Sequence, residues 1–135
     1  MITKNEFKQL ANDTGLSYWE EVEEEISYIS YPLPLFNENM IDPDQIKLHC
    51  AIISYAPDEI FVYDKLIHEK DYAETLIQKR EIYQYNLVSS IFEDDGTKWH
   101  NSSYEELRDK ILKIKQMLFN EQQQINLDKI KGDFQ

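Results

Sequence analysis

Apolar positions along this chain recur mostly at steps of three and four. The longest such stretch is 71–92, where Tyr72, Ala73, Leu76, Ile77, Tyr83, Leu87, Val88 and Ile91 share one helix face. Asp71, with Glu74 three residues on, has the form of a capping pair. The second half also alternates, so that Tyr83, Tyr85, Leu87 and Ile91 would share one face of a strand. The spacing predicts a helix over 71–92.

The other elements follow the same logic. Thr3 and Glu6 form a capping box ahead of a short stripe of Phe7, Leu10 and Ala11, and Gly15 suits a left-handed stop. Ser17 and Glu20 form a second box, followed by Trp19, Val22, Ile26 and Ile29 at helical spacing. Between these apolar positions lie Glu20, Glu21, Glu23, Glu24 and Glu25, so the spacing predicts a two-faced helix with one strongly acidic side. Pro32 and Pro34 make 30–41 an extended connection, with Leu33, Leu35 and Phe36 laid on the core.

Asp42-Pro43-Asp44-Gln45 reads as a third helix start, burying Ile46, Cys50 and Ile53. A restart at Ala56-Pro57-Asp58-Glu59 would turn Ile60, Tyr63, Leu66 and Ile67 inward. The competing reading is a hairpin of 46–55 and 60–64 turning at 56–59, which Pro57 and the density of Ile, Phe, Val and Tyr favour. Glu93-Asp94-Asp95-Gly96 is a turn. Ser102 with Glu105, or Ser103 with Glu106, opens a last helix, Ser103–Leu118, built on Tyr104, Leu107, Ile111, Ile114 and Leu118.

The expected architecture is a single mainly α domain of five or six helices over 1–122, with a polar tail at 123–135. The alternative is an α+β domain with a small antiparallel sheet near 46–64 and 82–99. Composition tilts the choice toward helices. Among 135 residues Val and Thr together number seven and Gly three, whereas sheets draw on Val and Thr for strands and on Gly for turns.

Charge changes the picture more. The net charge is −12, and it is uneven. Residues 1–45 hold ten acidic against two basic side chains, 46–100 hold ten against six, and 101–135 balance. Such a surface does not bind a bare phosphate backbone directly, and it attracts a basic protein. A single cysteine, Cys50, forms no internal disulfide. No leader-like or membrane-length apolar run is visible. These features lead to the expectation of a cytoplasmic protein.

Candidate chemistry is sparse. His49, His68 and His100 lack metal-ligand spacing, and His68-Glu69 lacks the second His of HExxH. Cys50 has no flanking oxyanion loop and reads as a small buried residue. Glu93, Asp94 and Asp95 lack the alternation of a calcium loop. No phosphate-cradling Gly-rich loop is present. The expectation is therefore no metal, no cofactor and no catalytic residue.

The remaining signal is acidic and aromatic. Tyr18, Glu20, Glu21, Glu23, Glu24, Glu25 and Tyr28 are the expected protein-binding residues, since Tyr supplies stiff contact area and carboxylates steer a cationic surface. The bland reading of the same run is a solvated face. The expected function is a small acidic inhibitor of a basic protein. A toxin immunity protein or a phage-type inhibitor of a nucleic-acid enzyme, acting by nucleic-acid mimicry, would fit. The rivals are a homodimeric chaperone or adaptor, and a small hydrolase with a dispersed Asp/Glu–His site.

Overall fold

Thr3 starts the first element. Its hydroxyl accepts the Glu6 N–H at 3.1 Å and the Glu6 carboxylate accepts the Thr3 N–H at 3.0 Å, which completes a capping box. Helix α1 runs Lys4–Thr14 and ends on Gly15 in the left-handed conformation. In this computed structural model the described residues are 1–31, 51–74, 79–90 and 96–133.

Strands β1 (Ser17–Glu21), β2 (Ile26–Ser30), β3 (Ala51–Ala56) and β4 (Glu59–Val62) follow, and they form one antiparallel sheet in that order. Strands β5 (Lys65–Glu74) and β6 (Lys79–Val88) pair as a separate antiparallel hairpin. Helix α2 spans Tyr104–Asp133. The Ser103 hydroxyl accepts the Glu106 N–H, and the Glu106 carboxylate accepts the Ser103 N–H, so α2 opens with a second capping box.

Register assigns the sheet its two faces. Tyr18, Ile29, Ile53 and Val62 form one cross-strand row, and Glu20, Ser27, Tyr55 and Ile60 the next. This face meets the helices: Phe7 of α1 lies 5.1 Å from the Tyr55 ring and 6.3 Å from Tyr18, centroid to centroid. Leu107, Ile111, Ile114 and Leu118 complete the same core from α2. Phe7, Leu10, Ile29, Ile53, Leu107, Ile111 and Leu118 are fully buried, each side chain contributing about 1.5–3 kcal/mol by leaving water. On the opposite face Trp19, Tyr28, Ser54 and Phe61 share a row. A bulge between Ile29 and Ser30 breaks the register with β3, and both Ile52 and Ile53 are buried there.

The mainly α reading is overturned: the described residues hold two helices and six strands. The helix predicted from Trp19 to Ile29 is the β1–β2 hairpin. Its Ser17–Glu20 pair does not cap a helix; Glu20 accepts the Tyr18 hydroxyl instead. The run Ile26-Ser27-Tyr28-Ile29-Ser30 suits a pleated, buried surface, and pairing on both sides buries it. The helix predicted over 71–92 is replaced by the end of β5 and by β6, while 75–78 and 91–92 lie outside the described residues. There the alternation of Tyr83, Tyr85 and Leu87 prevails over the helical spacing, because β5 supplies a full-length partner strand.

In the middle of the chain the hairpin reading holds over the described part, with Pro57 and Asp58 linking the paired Ala56 and Glu59. The third helix start at 42–45, the 32–41 connection and the turn at 93–95 lie outside the described residues. The α+β alternative placed strands near 46–64 and 82–99; it had none at β1 and β2.

Candidate functional site

The acidic run is the turn of an edge hairpin. Glu20 and Glu21 end β1, Val22–Glu25 form the loop, and Ile26 begins β2. The Glu25 N–H donates to the Val22 carbonyl at 3.4 Å, and Glu25 turns back at φ +55°, a left-handed conformation uncommon outside Gly, Asn and Asp. Glu23, Glu24 and Glu25 are exposed, and Val22 between the carboxylates is 79% exposed.

Pleating divides the expected binding residues between two faces. Tyr18 and Glu20 lie on the helix side. The Tyr18 hydroxyl donates to Glu20 Oε1 at 2.5 Å and also lies 3.2 Å from Ser27 Oγ. The Tyr18 hydrogen bond, with the Lys4 ammonium 3.5 Å away, holds the Glu20 carboxyl below the usual Glu value. Partial burial and the same Glu20 bond push the Tyr18 phenol up.

Glu21 and Tyr28 lie on the other side. Tyr28 stacks on Trp19 at 4.3 Å with planes 15° apart, and Trp19 Nε1 donates to Ser30 Oγ at 2.8 Å. Burial, then the negative potential of Glu21, the nearby Tyr63 and Glu24, push the Tyr28 phenol to about 12. The apolar stripe expected of Trp19, Val22, Ile26 and Ile29 does not exist, since Val22 projects into water and Trp19 and Ile29 face opposite ways. Tyr18 and Tyr28 therefore cannot present one flat patch together.

Beside the loop a cleft of about 360 Å³ is lined by Lys4, Glu20, Glu21 and Glu25 together with Val22, Ile26, Ser27, Tyr55 and Pro57. Carboxylates beside apolar side chains suit the cationic head and aliphatic stem of a Lys or Arg side chain, and Lys4 itself already pairs with Glu20 there. Lys4 and the exposed Val22 are parts of this site that sequence reasoning missed. The packing of α1 on the sheet brings Lys4 to Glu20, and Val22, expected in the core stripe, is instead exposed among the loop glutamates.

No protein-family model, characterised protein or solved structure matches the chain.

Among the described residues no three His, Cys, Asp or Glu side chains are arranged to hold a metal ion. His100 is half-buried with Nδ1 3.2 Å from Asn101 Oδ1. His68 belongs to β5. His49, Cys50 and 93–95 lie outside the described residues. Among the described residues no helix is long and apolar enough to cross a membrane.

Proposed function

We propose that this chain is a small acidic binding protein that docks on a basic protein and blocks it, in the manner of a toxin immunity protein or an inhibitor of a nucleic-acid enzyme. The observation that carries this reading is the β1–β2 hairpin. It concentrates Glu20, Glu21, Glu23, Glu24 and Glu25 at one projecting end of a protein of net charge −12. Strand pairing places Glu20 and Glu21 at the end of β1 and leaves Glu23, Glu24 and Glu25 exposed in the loop, so a cationic partner meets a concentrated negative surface. On the face of the sheet away from the helices, the partly exposed Trp19 stacked on Tyr28 supplies contact area beside Glu21.

The test takes the partner captured from the native host and measures its affinity at two salt concentrations. Wild type is compared with a variant carrying Gln at positions 20, 21, 23, 24 and 25, circular dichroism confirming that both are folded. The expected result is fast, salt-sensitive association that the variant slows markedly and whose salt dependence it flattens. Equal affinities and equal salt slopes would refute the reading.

A further inference from the structure

Among the described residues strand β1 ends the sheet, in the order β1-β2-β3-β4. In an antiparallel pair every second residue turns its N–H and C=O away from the partner strand. Natural edges are usually blunted by Lys, Pro, a bulge or an inward-facing charge, and here the one such charge, Glu20, is neutralised by Lys4 and Tyr18. Ser17-Tyr18-Trp19-Glu20 contains neither Lys nor Pro, and the bulge in this sheet lies between β2 and β3. Ser17 and Glu20 are exposed, and Tyr18 and Trp19 are half-buried. The edge thus combines outward backbone groups with two aromatic rings.

We infer, building on the basic-partner reading above, that an extended basic segment of the partner adds alongside Ser17–Glu20 as a fifth strand. Charge complementarity identifies the occupant. A strand lying on β1 alternates its side chains between the two faces. On the helix side Glu20 is already paired with Tyr18 and Lys4, and Lys8 lies over the Tyr18 ring, so the segment's positively charged residues fall past the end of β1, where Glu23, Glu24 and Glu25 stand exposed in the loop. On the other side apolar residues cover Trp19, which is already held flat by Tyr28 and Ser30. A second copy of this chain is disfavoured on the same edge, because it brings the same glutamates and a further −12 of net charge.

The probe is a short peptide alternating lysine and valine, compared with the same peptide N-methylated on every backbone nitrogen. Both carry equal charge and the same side chains, and only the first donates backbone hydrogen bonds. Affinity is measured by calorimetry and amide protection by hydrogen–deuterium exchange. The expected result is at least tenfold tighter binding of the unmethylated peptide, with new protection within Ser17–Glu20. Equal binding of the two peptides, no binding of either, or protection only away from β1 overturns the inference. If methylation has no effect while the five-fold Glu→Gln variant still binds more weakly, edge docking fails and the basic-partner reading stands. If that variant binds the unmethylated peptide as tightly as wild type does, both fail. A concentration-dependent dimer that the peptide dissociates assigns the edge to a second copy and also overturns the inference.

Discussion

The Lys115 ammonium of α2 donates a hydrogen bond to the Thr14 backbone carbonyl at the end of α1, 2.7 Å away. Two elements a hundred residues apart in the chain are thereby joined at a helix C-terminus, where unpaired carbonyls and the negative end of the helix dipole favour a cation. Beside it the Tyr104 hydroxyl donates to the Asp13 carboxylate. Lys115→Met keeps the aliphatic stem and removes the charge. It should cost about 1 kcal/mol, roughly 3–5 °C in melting temperature, read by thermal denaturation followed by circular dichroism.

Two left-handed glycines should respond differently to alanine. At Gly15 (φ +68°) an added Cβ meets just the Lys115 ammonium, at 3.2 Å, which a flexible side chain can move aside. At Gly96 (φ +84°) it meets Glu59 Cβ and the Phe61 ring at 2.9 Å, while the Gly96 carbonyl must still accept the Ile60 N–H at 3.0 Å. Gly15→Ala should cost about 1–2 kcal/mol from backbone strain alone. Gly96→Ala should cost distinctly more. Urea denaturation of the two variants side by side checks the order.

Glu25 adopts φ +55° in the hairpin loop. Its left-handed backbone is a strain that glycine does not feel, so Glu25→Gly should raise stability by about 0.5–1 kcal/mol. A lower urea midpoint in the variant would mean that the Glu25 side chain contributes more than its backbone costs.

Asp64 joins the start of the β5–β6 hairpin to α2. It accepts the Ser90 N–H at 2.9 Å, the Ser90 hydroxyl at 3.1 Å and the Lys110 ammonium at 3.0 Å. Partial burial pushes its carboxyl up, but the Lys110 and Ser90 contacts together outweigh it, and the pKa lies below the ordinary Asp value. A lowered folded pKa contributes stability that is complete above the unfolded value of about 3.9 and is lost as pH falls through the folded one. Asp64→Asn should therefore cost about 2 kcal/mol at neutral pH. Its deficit against wild type should shrink below about pH 4, measured by denaturation across an acid series.

Tyr28 acts at the alkaline end. Its phenol is held at about 12, against an unfolded value near 10. The stability associated with a raised pKa is complete below about pH 10 and is lost as pH rises through the folded value. Tyr28→Phe should make unfolding less sensitive to pH between about 10 and 12. Ultraviolet titration of the native protein should show one fewer late-ionising phenol.

Local chemistry determined both ends of α1 and the start of α2, whereas α2 runs on to Asp133, past the expected end at Leu118. A capping box is settled within four residues, and Thr3 with Glu6, Ser103 with Glu106 and the stop at Gly15 all form where the sequence places them. The inward stripe of Leu107, Ile111, Ile114 and Leu118 was legible for the same reason: a helix makes its backbone hydrogen bonds with itself. The Pro57-Asp58 turn was also visible, though only as one of two readings.

The strands at 17–30 and 65–88 were decided by tertiary structure. A strand makes its hydrogen bonds with residues far along the chain, and the steps of three and four in these segments fit a helix as well as a pleat. Ser17 and Glu20 have the letters of a capping box, yet Glu20 accepts the Tyr18 hydroxyl because pairing with β2 holds Ser17–Glu21 extended, with Tyr18 and Glu20 on one face. The five glutamates were readable as a charge run from the first pass. That they stand at the turn of an edge hairpin, with Tyr18 and Tyr28 on opposite faces, follows from the pairing of Tyr18 with Ile29 and of Trp19 with Tyr28, a long-range register that no local pattern encodes.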